Sequence, residues 1–327
     1  MTSKPATPGA TASAVHSRRA AFVLLVLLSL TWGFHWVVVK TGLDYMPPLT
    51  YGTLRLLGGL LTMLVILGVQ RRISLPPRAD VPIILSIGFG QIASGILITH
   101  LALEAVPAGR SSVLLYSMPL WVAVLLYLRF RTKPRRNELI GLVLGVGGIV
   151  ILINPTVINW TIPGEVLGTL GLICAAIFWA GVAIHVRRHR WVSRPLDLQP
   201  WMLIAALVPV TLAALLLESG RTIRWEPATV LILLYSGPLA TAFAHWASQS
   251  ITRSLGALAS GIGFLAVPVI GLASGAVFLH ESLGPLDIAG FALVLAGIAA
   301  TSLVPPPKAA GARDEAVAAP VREEARA

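Results

Sequence analysis

The 327-residue chain has one cysteine and few charges, 25 Lys plus Arg and 14 Asp plus Glu, together 12% of its residues. The single cysteine, Cys174, excludes an intrachain disulfide and a cysteine-based metal site. It lies within an apolar run and is expected in the packed core. So small a charged fraction, beside 56% hydrophobic residues and a mean hydropathy of +0.81, excludes an ordinary water-soluble domain. Catalytic and energy-coupling signatures are also missing. No Gly-Lys-Ser/Thr element is present to cradle a nucleotide phosphate, and no Gly-x-Ser-x-Gly elbow to present a nucleophile. His280-Glu281 lacks the second histidine of a zinc protease. No cofactor and no metal are expected.

What is present is a succession of apolar runs at about 20–40, 48–69, 81–103, 107–128, 138–154, 164–186, 198–217, 227–251, 256–280 and 284–304. A helix needs about 20 residues to cross the hydrocarbon core, so these predict ten spans. Turn and stop chemistry separates them, as at Met46-Pro47-Pro48, Asn154-Pro155, Glu226-Pro227 and Gly284-Pro285. The first run exceeds the apolar core of a signal peptide and is expected to be a retained span. The net charge of +11 reflects topology rather than nucleic acid: with both termini inside, the inner segments hold 20 Lys and Arg and the outer ones 4. Residues 1–19 form a cytoplasmic N-terminal tail. Residues 305–327, rich in Pro, Ala, Glu and Arg, are predicted to be a disordered cytoplasmic tail.

The two halves repeat. An offset of 149 residues aligns Gly88 with Gly237, Ala108 with Ala257, Ser111 with Ser260, Pro119 with Pro268, Gly141 with Gly290 and Gly148 with Gly297. An offset of 147 pairs Trp32 with Trp179 and Lys40 with Arg187. The predicted fold class is an all-α membrane protein of ten transmembrane helices, built as two inverted five-helix repeats over 20–154 and 164–304. An odd number of spans per repeat makes the second enter the membrane from the opposite side. Many secondary carriers share this plan and open a midplane site alternately to each face.

The residues from Gly256 to Gly297, with Pro268, Phe278-Leu279-His280-Glu281 and Gly290, resemble the ending of EamA-type members of the drug/metabolite transporter superfamily. Thr31-Trp32-Gly33, Pro48 with Arg55, Ala108, Pro119 and Gly141 resemble the first half of the same pattern. The likeness covers about residues 20–304. It departs at Phe130-Arg131-Thr132-Lys133, where the first repeat has no counterpart of Glu281. The resemblance implies export of a small metabolite or amino acid through a central cavity without a nucleotide-hydrolysing domain.

Polar side chains inside apolar spans carry the most information, since an unpaired one facing lipid costs about 2–7 kcal/mol by transfer scales. The candidate pathway residues are Trp32, His35, Arg55, Gln91, His100, Tyr116, Trp179, His245 and Gln249. His245 and Gln249, four residues apart, share a helix face. A mid-span histidine can carry a proton or simply bond a backbone carbonyl, so proton coupling and facilitated diffusion both fit. Arg55, about 10 Å along its helix from Pro48, can snorkel, pair within the bundle or clamp a carboxylate. Trp32 and Trp179 can stack a flat substrate or pack helices. Pro119 and Pro268 suit hinges or static kinks. Small faces at Gly141, Gly145 and Gly148, and at Ala292, Ala296 and Gly297, suit close helix approach within a monomer or at a homodimer seam.

The expected function is a secondary transporter in the inner membrane that exports a small organic metabolite by alternating access. The rivals are a non-transporting sensor or scaffold, and a membrane-embedded lipid-modifying enzyme. The expected partners are a small-molecule substrate and the lipid bilayer, with no nucleic acid.

Overall fold

The computed structural model describes residues 18–131, 136–153, 161–248, 250–251 and 264–302. Prolines that punctuate the sequence open the helices: Pro48, Pro163, Pro195, Pro227 and Pro285 each begin one, where the missing N–H has no helical partner to lose. The described residues contain ten helical segments. They are α1 (Arg18–Gly42), α2 (Pro48–Val69), α3 (Arg78–Ala102), α4 (Ala108–Phe130), α5 (Arg136–Leu152), α6 (Pro163–Arg188), α7 (Pro195–Leu217), α8 (Pro227–Ser248), α9 (Ala266–Phe278) and α10 (Pro285–Ser302). Seven of them, α1–α4 and α6–α8, are long and apolar enough to cross a bilayer. Residues 256–263 of the expected ninth run, 1–17 of the expected N-terminal tail and the C-terminal tail lie outside the described residues, while Arg18 and Arg19, expected in the tail, begin α1.

The packing follows the two-repeat plan. Helices α2 and α7, α4 and α9, and α5 and α10 each pack against their own counterpart five places along. The other contacts exchange in the same way: α1 lies on α9 as α6 lies on α4, α2 on α8 as α7 on α3, and α1 on α8 as α6 on α3. Local irregularities obey the 149-residue offset too. A widened π segment occupies Ser86–Ala93 in α3 and Tyr235–Phe243 in α8. Left-handed residues end α4 at Arg131 and follow α9 at His280, both with φ 53°.

The small faces are spent inside the monomer. A Cβ on Gly148 would stand 2.6 Å from the Gly290 carbonyl, and one on Gly297 would stand 2.6 Å from both Gly141 O and Gly145 N. Backbones meet along the α5–α10 seam because neither helix carries a side chain there. Two large apolar clusters, and a small one of Leu25, Leu28, Ala244, Ala247 and Ile251, fill the interior. Of the large pair, one gathers Trp36, Tyr51, Leu103, Leu114 and Leu152; the other gathers Leu56, Met63, Ile83, Met202 and Val210. Cys174 does not join either. It is exposed on α6, contrary to its expected place in the core, because in a bilayer an apolar helix face can be turned to lipid as well as inward.

Candidate functional site: a polar cluster between the repeats

Arg55 of α2 lies at the boundary of the two apolar clusters, four residues after Tyr51 of the first and one before Leu56 of the second. Gly237 brings α8 close at this level, where an added Cβ would meet the Gly58 backbone at 3.0 Å. That approach lets the Arg55 Nε donate to Thr241 Oγ1 at 3.0 Å, while the Thr241 hydroxyl donates to the Ser236 carbonyl at 2.8 Å. Tyr51 is fully buried, and its phenol and the Ser236 hydroxyl share a 2.6 Å hydrogen bond.

Three histidines surround this pair, all within electrostatic range of the guanidinium. His100 of α3 is fully buried; its Nδ1 is 2.9 Å from the Pro48 carbonyl and its ring lies 5.1 Å from that of Tyr51. His245 places Nδ1 2.7 Å from the Thr241 carbonyl and meets Trp32 edge-on at 5.6 Å. A carbonyl can only accept, so both histidines carry a proton on Nδ1, and in the neutral ring each presents a lone pair at Nε2. His35 of α1 stacks on Tyr235 at 5.9 Å, and among the described residues neither of its ring nitrogens has a partner; His100 Nε2 is likewise buried without one there. Tyr116 also lies within electrostatic range of Arg55, at the break in α4 where the helix turns at Tyr116–Ser117.

His35, Arg55, His100, Tyr116 and His245 therefore converge from five helices of both repeats. Gln91 and Trp179 stand elsewhere, and together they reveal the role of the indoles. Trp179 Nε1 donates to the Gln91 carbonyl at 2.9 Å, and Trp32 Nε1 donates to the Ala240 carbonyl at 3.0 Å. Gln91 and Ala240 are 149 residues apart, each inside a π segment, whose wider turn directs carbonyls off the helix axis. Each repeat thus latches its first helix to the π segment of the other. The ring of Trp32 additionally borders the cluster through His245. Gln249, expected to share a helix face with His245, lies outside the described residues.

Pro119 and Pro268 sit in first turns. Pro119 follows the Tyr116–Ser117 break, and Pro268 follows the turn at Leu265, 149 residues on from Tyr116. Each interruption precedes its proline, and neither proline removes a hydrogen bond from a helix interior.

The cluster is not symmetric. The repeat counterpart of Arg55 is Met202 and that of Thr241 is Ile92, both buried in the second apolar cluster. Sequence reasoning missed Tyr51, Tyr235, Ser236 and Thr241. A signal existed for two of them: Tyr51 is one helical turn before Arg55, and Thr241 one turn before His245.

Charged side chains join the two repeats near the helix ends. The Glu218 carboxylate, at the end of α7, accepts from the amides of Leu49 and Thr50 at 2.8 and 2.7 Å, capping α2. Glu281, between α9 and α10, accepts from the amides of Ala108 and Gly109 at 2.5 and 3.0 Å, capping α4. Arg110 pairs with Glu165 at 2.7 Å and Asp287 at 3.5 Å. Within the first repeat, Lys40 donates to the Leu103 carbonyl at the end of α3. At the opposite ends Asp80 accepts from the Val192 and Ser193 amides, and Arg72 pairs with Asp197 at 2.6 Å.

Among the described residues no group of three His, Cys, Asp or Glu side chains could hold a metal ion. A hollow of about 540 Å³ opens sideways between α1, α8 and α9, lined by Phe34, Tyr235, Ile270 and Phe278, so that Tyr235 divides it from His35.

The EamA-like transporter family matches residues 19–154 and 166–303. A protein of Salmonella typhimurium (strain LT2) named "probable amino-acid metabolite efflux pump" is 30% identical over 293 residues, 86% of this chain and 94% of that protein. The uncharacterized transporter YoaV of Bacillus subtilis (strain 168) is 28% identical over 280 residues, 84% and 95% of the two chains. A crystal structure with 19% identity superposes with a TM-score of 0.60 over 88% of this chain and 98% of that one, a likeness of fold. With both halves matched, a bundle of ten helical segments and polar groups gathered between the repeats, the chain is a multi-pass membrane protein that belongs to the EamA-like transporters of the drug/metabolite transporter superfamily.

Proposed function

We propose that this chain is a secondary carrier of the inner membrane that exports a small organic metabolite by alternating access, with the cluster around Arg55 as its transport site. One observation carries the reading: five helices from both repeats bring polar groups, Tyr51, His35 and His100 buried and Tyr116 and His245 partly so, around one guanidinium in the middle of an apolar bundle. Such groups are costly in a membrane interior and mark pathways for polar cargo. Both termini face the cytoplasm, as the 20-to-4 division of Lys and Arg requires. Residues 20–154 and 164–304 are the rocking halves, and the interruptions before Pro119 and Pro268 are their hinges. The carrier works without a cofactor and without covalent catalysis.

Purified protein in liposomes should exchange labelled cargo from a panel of amino acids, hydroxy acids, nucleosides, sugars and amines. No acceleration over empty liposomes for any member would overturn the reading. Flux that survives collapse of a pH gradient assigns facilitated diffusion; flux that needs the gradient assigns proton antiport, with the histidines as carriers.

A further inference from the structure

The guanidinium of Arg55 makes a single hydrogen bond among the described residues, through Nε to Thr241. Its two terminal nitrogens, the end-on fork that grips a carboxylate through parallel bonds, are uncommitted. Among the described residues no acidic side chain neutralises it. All ten acidic residues before position 303 lie in the loops or the terminal turns of helices, and the other four lie beyond Ser302. A second observation is independent of the arginine. Among the described residues, His35, 7% exposed, has no partner for either ring nitrogen, and fully buried His100 has none for Nε2. A buried polar atom left unmatched costs about 1–3 kcal/mol, so these groups await a ligand or water.

We infer that the cluster is a seat for an organic monoanion, a carboxylate with a neutral hydrogen-bond donor on the neighbouring carbon, such as a 2-hydroxy acid or an N-acylated amino acid, in preference to a zwitterionic amino acid. This rests on the carrier reading and names its cargo. The charge of the site decides the class. Empty, it carries the single positive charge of Arg55, and a monoanion brings it to zero. A zwitterion leaves one positive charge, and an amine raises it to two. In a low-dielectric interior, neutralisation dominates over any single hydrogen bond. The lone pairs of His100 and His245 then select a donor beside the carboxylate, since neutral imidazoles protonated on Nδ1 can only accept at Nε2. A hydroxyl or amide N–H supplies that donor without a second charge.

The test uses the full chain in liposomes and two series, each built on a single side chain. One contains 3-phenyllactate, N-acetylphenylalanine, phenylalanine and 2-phenylethylamine. The other contains 2-hydroxyisocaproate, N-acetylleucine, leucine and isoamylamine. The expected result is that at least one hydroxy or N-acetyl acid crosses tenfold or more faster than its parent amino acid, with no flux of the amines. Arg55→Met should abolish that flux, and Arg55→Lys should keep a fraction of it, since a point charge remains without the fork. The selectivity of the unaltered chain needs no variant to fold. Equal or faster flux of the amino acid, wild-type flux in Arg55→Met, or no flux of any acid would overturn the anion seat. If a neutral or cationic compound crosses in any of those cases, the carrier reading stands while the seat falls.

Discussion

Replacing either latching tryptophan by phenylalanine removes an indole N–H and leaves an aromatic ring behind. In the structure Trp32 Nε1 lies 3.0 Å from the Ala240 carbonyl and Trp179 Nε1 lies 2.9 Å from that of Gln91. Hydrogen bonds between membrane helices average about 0.6 kcal/mol and reach about 1.7. The smaller ring also leaves an unfilled space, adding about 1 kcal/mol for a gap of some 40 Å³. Each substitution should therefore cost about 1–3 kcal/mol. The two sites share no partner, so the double variant should equal the sum within about 0.5 kcal/mol. Reversible unfolding in mixed detergent micelles, followed by far-ultraviolet circular dichroism, measures all three. The decisive comparison is between the two tryptophans, because only Trp32 borders the Arg55 cluster. If Trp32→Phe lowers flux with no loss of stability while Trp179→Phe changes neither, the paired-latch reasoning is wrong and Trp32 serves the cargo alone.

Glu281→Gln keeps one acceptor oxygen but removes the charge that caps α4, and should cost about 1–3 kcal/mol in the same unfolding assay. Gly297→Ala places a methyl group 2.6 Å from the α5 backbone and should destabilise by about 1–3 kcal/mol, whereas Gly147→Ala, with nothing within 4 Å, should be neutral or slightly stabilising; equal effects would refute the close seam. Cys174, exposed near the middle of α6 on a face turned to lipid, should resist maleimide in the intact membrane, where a thiol in hydrocarbon stays protonated, and should label on unfolding; ready labelling of the folded protein in membranes would place it against water instead.

Much of this architecture is legible in the amino-acid sequence, for reasons that particular residues make plain. The 149-residue offset, traced through Gly88 and Gly237 or Pro119 and Pro268, also locates features with no sequence signature of their own: the π segments, the left-handed residues Arg131 and His280, and the breaks before the prolines. Arg55 and the three histidines stand out because a charged or ring-nitrogen side chain in an apolar span has few tolerable environments. Tyr51, Ser236 and Thr241 do not stand out. Small hydroxyls satisfy themselves on any helix by bonding the carbonyl one turn back, as Thr31, Thr53, Thr62 and Thr99 do here. The misplacement of Cys174 has a different origin. An apolar stripe marks the core when the solvent is water, but Val208, Leu212 and Leu215 are more than half exposed on a helix whose opposite side buries Leu203 and Val210. With lipid outside and side chains within, both faces look alike.

The apolar counterparts of Arg55 and Thr241, Met202 and Ile92, bear on the direction of traffic. If the halves were identical, the inward- and outward-open forms would be mirror states with the same affinity for cargo. Here α2 and α8 bring Arg55 and Thr241 to the cluster where their counterparts α7 and α3 bring Met202 and Ile92 at the matching positions, so in the proposed carrier the two open forms would meet the cargo with different surfaces. Their Michaelis constants must then differ. In an uncoupled carrier the Haldane relation forces the two maximal velocities to differ by the same ratio, so the equilibrium stays unmoved. At cargo concentrations between the two constants such a carrier would run faster from the side with the higher constant than from the other, without consuming energy.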